Sequence, residues 1–156
     1  MLRIAVITIS DRASRGEYED RSGPAIREIL SQLLPGADIR MAIVPDERER
    51  IHEALENHLD SDYILTAGGT GISPRDVTPE VTASVCEREL PGISEWLRRE
   101  SHHETPYAVF SRAYSGVRGR TIIVNFPGSV KGASLCARLL APVMAHGPEM
   151  IRGGGH

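Results

Sequence analysis

The sequence predicts an α/β fold: a three-layer α/β/α sandwich around a mostly parallel sheet. Two observations carry this. Apolar runs of strand length recur at residues 3–9, 39–44, 63–67 and 121–124, and stretches with apolar residues at helical spacing separate them. The 156 residues fit one domain, spanning 1–156, of a size that buries its own core.

Residues 3–9 (RIAVITI) are a continuous apolar run, as in a strand buried on both faces, and the polar stretch 10–23 after them is a loop. The helix predicted over 24–34 gathers Ile26, Ile29, Leu30, Leu33 and Leu34, has Pro24 near its first turn, and ends at Pro35-Gly36. Strand 39–44 leads to a helix from Glu47, with Ile51, Ala54, Leu55 and Leu59 on one face. Strand 63–67 is followed by a glycine-rich loop, a helix over 79–89, a break at Pro91-Gly92, and a helix carrying Ile93, Trp96 and Leu97. Residues 108–117 and 120–125, separated by Arg118-Gly119, read as a hairpin or a strand approach, with 121–124 in the core. Residues 126–129 turn into a last helix with Leu135, Leu139, Leu140 and Val143, and Gly153 to Gly155 is expected to fray.

Aromatic residues make up only 4% of the chain, so Val, Ile, Leu and Ala must fill the core. A formal net charge of -3 provides no broad positive field, so neither nucleic acid nor membrane is an expected partner, and an anionic substrate must be held locally. Cys86 and Cys136 match no metal spacing and are expected as reduced thiols in amphipathic helices. The apolar opening is too short for a signal peptide and lacks a cleavage site, so a cytoplasmic location is expected. The pair His102-His103 has no third ligand nearby, and no Ser-His-Asp or Cys-His arrangement suggests covalent catalysis.

The most informative stretch is 66–80, TAGGTGISPRDVTPE, which starts at the carboxyl end of the third strand, where α/β sheets bind ligands. Gly68, Gly69 and Gly71 let backbone N–H groups approach phosphate oxygens, and the Thr70 hydroxyl adds a donor. Neither a Walker A lysine nor the dinucleotide fingerprint is present, and GGTG alone is as compatible with a turn that binds nothing. Arg75 offers a fork for phosphate, and Asp76 a hard oxygen ligand suited to Mg²⁺ on nucleotide phosphates. Thr78 and Pro79 read as the cap and first residue of the next helix.

Asp46 also follows a strand and so lies on the same sheet edge, where it could share the metal, although its spacing to Glu49 is that of a capping box. Ser10-Asp11 ends the first strand and opens a polar loop with Arg12, Arg15 and Arg21, able to cover a phosphorylated substrate or simply to be solvated. Pro127, Gly128 and Ser129 join a buried strand to a helix whose N-terminal N–H groups form a second anion site, with Ser129 as N-cap.

Taken together and in this order, Ser10-Asp11, VPDE at 44–47, GGTGISPRDVTPE at 68–80 and SRAYSGVRGRTIIVNFPGS at 111–129 resemble the MogA/MoaB family, including the G domains of gephyrin and plant molybdenum insertase. The resemblance runs from about residue 3 to about 150. It implies a molybdopterin-binding fold, commonly a homotrimer, and ATP- and Mg²⁺-dependent adenylylation of molybdopterin with release of pyrophosphate. It also implies that the GGTG loop cradles nucleotide phosphate, that Asp46 and Asp76 are essential aspartates, and that Ser10, Asp11 and the Pro127-Gly128-Ser129 turn serve molybdopterin. Hand-over of the product to a molybdenum insertase would follow. The chain departs from the Pro-Gly-Asn-Pro or Pro-Gly-Ser-Pro of many relatives at Val130 and Lys131. A pterin-binding carrier or scaffold without the chemistry is the alternative, against which retention of both Asp46 and Asp76 argues.

Overall fold

The computed structural model describes residues 1–154. A six-stranded sheet has the order β2-β1-β3-β6-β5-β4, formed by β1 (Arg3–Ile9), β2 (Asp38–Val44), β3 (Tyr63–Ala67), β4 (Arg88–Glu89), β5 (Ser115–Arg118) and β6 (Thr121–Phe126). The pairings β1 with β2, β1 with β3 and β3 with β6 are parallel, whereas β5 runs antiparallel to both β6 and β4. The expected strands are all present. The chain moves from β1 outward to β2 and then back across to β3, so the strand order reverses beside β1, the position at which open α/β sheets form ligand crevices.

Helices cover both faces. On one side α2 (Ser22–Leu33), α5 (Pro91–Glu104) and α6 (Val130–Met144) pack Ile26, Leu30, Leu97, Ala137 and Leu140 against Ile4, Val6, Leu65, Val124 and Phe126. On the other, α3 (Arg48–Glu56) and α4 (Thr78–Val85) pack Ile51, Leu55, Val81 and Val85 against Ala5, Ile7, Ile64 and Ile123. Successive strand residues face opposite layers, so the continuous apolar runs of β1, β3 and β6 follow from burial on both sides. Each fully buried Ile, Leu or Phe here contributes on the order of 1.5–3 kcal/mol relative to exposure. The short helices α1 (Asp11–Ser14) and α7 (His146–Ile151) and a 3₁₀ turn (Pro106–Phe110) complete the structure. No described helix is long and apolar enough to cross a membrane.

Four sequence expectations are corrected. The helix expected over 79–89 stops at Val85, because Arg88–Glu89 leaves it to pair with Val117 and Gly116 as an edge strand. Cys86 is therefore the half-buried residue that ends α4 rather than part of it, while Cys136 is buried in α6; both are free thiols. The expected capping box does not form, since Glu47 precedes α3 with no side-chain cap. Gly153 and Gly154 do not fray: their N–H groups donate to Met150 O and Glu149 O, with Gly153 at φ 86°, which closes α7 as a Schellman motif. Gly155, in the same expected frayed end, lies outside the described residues.

Candidate active site

The four parallel strands bring Ser10-Asp11, Asp46, the glycine loop and the Pro127-Gly128-Ser129 turn to one edge of the sheet. The glycine loop leaves β3 with Gly68 at φ 114° and Gly69 at φ 69°, backbone that disfavours any side chain. A Cβ on Gly68 would lie 2.2 Å from Ile9 O, and one on Gly128 would lie 3.2 Å from Gly68 Cα, so the loop is wedged between β1 and the turn after β6. Thr78 was expected to cap α4. Instead its buried Oγ1 donates to Gly68 O at 3.0 Å, and its N–H donates to Gly69 O at 3.2 Å. The backbone N–H groups of Gly69, Thr70, Gly71 and Ile72 donate to no partner among the described residues.

Asp11 and Asp46 bind each other's backbone: Asp11 N–H donates to Asp46 Oδ2 and Asp46 N–H to Asp11 Oδ1, both at 3.0 Å. That exchange, rather than a cap on α3, fixes the Asp46 side chain. Arg75 grips Asp11 through two hydrogen bonds, Nε to Oδ2 at 3.0 Å and Nη2 to Oδ1 at 2.8 Å. The Arg75 hydrogen bonds hold the Asp11 carboxyl below its ordinary pKa. Asp46 is pushed the other way, first by burial and then by the negative charges of Asp11 and Asp76, against the hydrogen bond from Asp11. Asp46 Oδ1 faces the glycine loop, 3.0 Å from where a Gly69 Cβ would stand, and Asp76 Oδ2 stands 2.8 Å from the equivalent point on Gly71 while accepting from Ser73 N–H at 2.9 Å. The two carboxylates thus flank unpaired amide donors.

A bare anion would meet the carboxylates as well as the amides, whereas a phosphate carrying a divalent cation satisfies both halves of the mixture. The residues fit Mg²⁺ on that ground: Asp46 Oδ1 has no hydrogen-bond partner among the described residues, and its surroundings disfavour an uncompensated anion. Mg²⁺ needs only one or two carboxylates beside phosphate oxygens and water. Among the described residues, no group of three or more His, Cys, Asp or Glu side chains forms a closed metal site.

Ser10 is occupied locally, its Oγ accepting from Ala13 N–H as the cap of α1. Ser129 caps α6 as expected, accepting from Gly132 N–H at 3.1 Å, and Gly128 O is held by Ser22 Oγ at 2.7 Å. Beneath the turn, buried Asn125 donates to Thr66 Oγ1 and Thr82 Oγ1 and accepts from Tyr114 N–H, joining β3, α4 and the approach to β5. A cavity of about 270 Å³ opens beside Gly71 and Ser129, lined also by Leu97, Arg98, Tyr107 and Phe110.

Arg112 was not singled out from the sequence. Its Nε donates to Gly71 O and its Nη2 to Asp76 O, both at 2.8 Å, its Nη1 to Glu80, and its backbone N–H to Thr70 O at 2.8 Å. The hydrogen bond from Arg112 holds the Glu80 carboxyl below its ordinary pKa. An isolated arginine before a strand carries no local signal of side-chain contacts made 32 to 41 residues away.

Residues 5–146 match the family model described as a probable molybdopterin binding domain. The chain is 40% identical over 156 residues to the molybdopterin adenylyltransferase of Helicobacter pylori strain J99, covering 97% of this chain and 89% of the relative. It is 41% identical over 134 residues to that of Escherichia coli K12, covering 83% of this chain and 69% of the relative. The crystal structure of the molybdopterin biosynthesis enzyme MoaB from Thermus thermophilus superposes with a TM-score of 0.87 at 41% identity, covering 98% of each chain. With a family model matched over most of its length and relatives of this identity along nearly all of it, the chain belongs to the MogA/MoaB family of molybdopterin-binding domains.

Proposed function

We propose that this protein adenylylates molybdopterin, using ATP and Mg²⁺ and releasing pyrophosphate. The observation that carries the reading is the row of unpaired amides at Gly69, Thr70 and Gly71 flanked by Asp46 and Asp76, a donor and acceptor set that suits a metal-bound nucleotide phosphate and not a simple anion. The names of the curated relatives agree with it.

In this reading the loop amides of Gly69 to Ile72 and the Thr70 hydroxyl hold the nucleotide phosphates, whereas Gly68, expected to join them, spends its N–H on Phe126 O at 3.1 Å and serves the loop by its backbone geometry. The Pro127-Gly128-Ser129 turn, beside the start of α6, receives the molybdopterin phosphate. Asp46 and Asp76 would hold Mg²⁺, which when bound neutralises phosphate charge. Asp11, with Ser10 behind it, keeps Arg75 at the rim, where its Nη1 remains available to a phosphate oxygen. The cavity beside the turn gives room for a flat ring of the substrate. An oxygen of the molybdopterin phosphate attacks the α-phosphorus of ATP as the bond to the bridging oxygen of the β-phosphate breaks, and pyrophosphate leaves. The attacking phosphate is already ionised, so no general base is required, and rate enhancement comes from position and charge neutralisation. A homotrimeric, cytoplasmic protein that hands its product to a molybdenum insertase belongs to the same reading. Incubation with molybdopterin, ATP and Mg²⁺ tests it: pyrophosphate and adenylyl-molybdopterin form in equal amounts. Tight molybdopterin binding with neither product would make the protein a pterin carrier.

A further inference from the structure

We propose that Thr78 and Arg112 are positioning residues that turn the glycine-loop amides toward the nucleotide by tying down the carbonyls behind them. The inference rests on the nucleotide reading above and adds the device that arms the loop. Four successive carbonyls are anchored: Gly68 O by Thr78 Oγ1 at 3.0 Å, Gly69 O by Thr78 N–H at 3.2 Å, Thr70 O by Arg112 N–H at 2.8 Å and Gly71 O by Arg112 Nε at 2.8 Å. The peptide bonds here are all trans, and in a planar trans peptide the N–H points opposite to the C=O. Each anchored carbonyl therefore turns the next residue's N–H away from its anchor, and those next residues are Gly69, Thr70, Gly71 and Ile72, the four whose amides have no partner among the described residues.

A network that only stabilised the loop would draw on donors and acceptors alike. Across the four peptides between Gly68 and Ile72 this one consumes every acceptor and leaves every donor, with the N–H groups of Gly68 and Ser73 paired at either end. The glycines themselves impose no such order, since they admit many backbone conformations. The anchors are themselves braced. Thr78 is the fully buried first residue of α4, and its carbonyl accepts from Thr82 Oγ1 at 2.8 Å. Arg112 is held on both sides by Arg98 Nη1, which donates to Ser111 O at 3.3 Å and Ala113 O at 3.2 Å, and its guanidinium also takes Asp76 O and Glu80.

The test combines calorimetry with amide NMR on the intact protein, using Mg-ATP as the probe. In the wild type, Mg-ATP shifts the amide resonances of Gly69, Thr70, Gly71 and Ile72. Arg112→Lys keeps the charge and the backbone N–H but loses the fork, and Thr78→Val keeps the shape but loses the hydroxyl. Each is expected to bind Mg-ATP about tenfold more weakly, the cost of about one hydrogen bond, with molybdopterin affinity within about twofold of wild type. Thr78→Ser, which restores the hydroxyl, returns ATP affinity to within about twofold. Because Thr78 is buried and its valine variant is at risk of misfolding, Arg112→Lys, at an exposed residue, carries the test on its own. Unchanged ATP affinity in Arg112→Lys overturns the inference and leaves adenylylation standing, as does ATP binding to the wild type without movement of the four amides. Equal loss of ATP and molybdopterin affinity overturns it too, as general loosening. A wild-type protein that binds no nucleotide removes both the reading and the inference.

Discussion

Replacing Asp46 by Asn tests its metal-holding role, because the change keeps size and a hydrogen-bond acceptor and removes only the charge. The carbonyl of the introduced amide can still accept from Asp11 N–H, as Asp46 Oδ2 does at 3.0 Å, so the backbone exchange survives. What disappears is a negative charge that burial, Asp11 and Asp76 together disfavour more than the Asp11 hydrogen bond favours it. Melting temperature should therefore hold or rise by a few degrees, at about 2–4 °C per kcal/mol for a chain of this size. Asn caps a helix about as well as Asp, so a capping role would leave both stability and rate nearly unchanged. The sign with pH follows. Folding raises the Asp46 pKa, so above the ordinary carboxylate range the native charge opposes folding, and the advantage of the Asn variant fades as pH falls below that range. Adenylylation should fall by roughly a hundredfold or more, about 2.7 kcal/mol of lost transition-state stabilisation. Calorimetric melting between pH 4 and 8, with a pyrophosphate-release assay, measures both. A variant that turns over near the wild-type rate would refute the assignment.

Asp76→Asn keeps an acceptor for Ser73 N–H, so it should melt within about 2 °C of wild type while losing about a hundredfold or more in adenylylation rate; a near-wild-type rate with unaltered Mg²⁺ dependence would remove Asp76 from the site. Gly68→Ala places a methyl 2.2 Å from Ile9 O at φ 114° and should cost more than about 3 kcal/mol, measured by urea unfolding; wild-type stability would contradict the described loop. Burial raises both Cys86 and Cys136 to about 11, so iodoacetamide at pH 8 should modify the native protein about a hundredfold more slowly than the unfolded chain; equal rates would show the thiols to be accessible and ordinary.

The layers were legible because burial on both faces writes itself as continuous apolar runs, and each such run became a strand where expected. Two-residue β4 was not, since Arg88 and Glu89 are exposed and its pairing with β5 is the only thing that makes it a strand. Asp46 looked like a cap because Glu49 lies three residues on, while the partner that fixes it, Asp11, is 35 residues away. Thr78 misled in the same way: a threonine before Pro79 reads as a cap, and only the folded loop shows its hydroxyl spent on Gly68 O. Which residues gather at the sheet edge could be read from where strands end. How they grip one another could not.

The parallel order of β1, β2, β3 and β6 has an electrical consequence. The helices that follow these strands, α2, α3, α4 and α6, all begin at the edge where Asp11, Asp46 and Asp76 stand. Each helix start carries about half a positive charge, roughly two in sum, and Arg75 and Arg112 add theirs against the three aspartates and Glu80. The charges that touch the loop nearly cancel one another. The edge therefore exerts little long-range pull on a doubly charged nucleotide complex, so capture depends on short-range fit and association should vary only weakly with ionic strength.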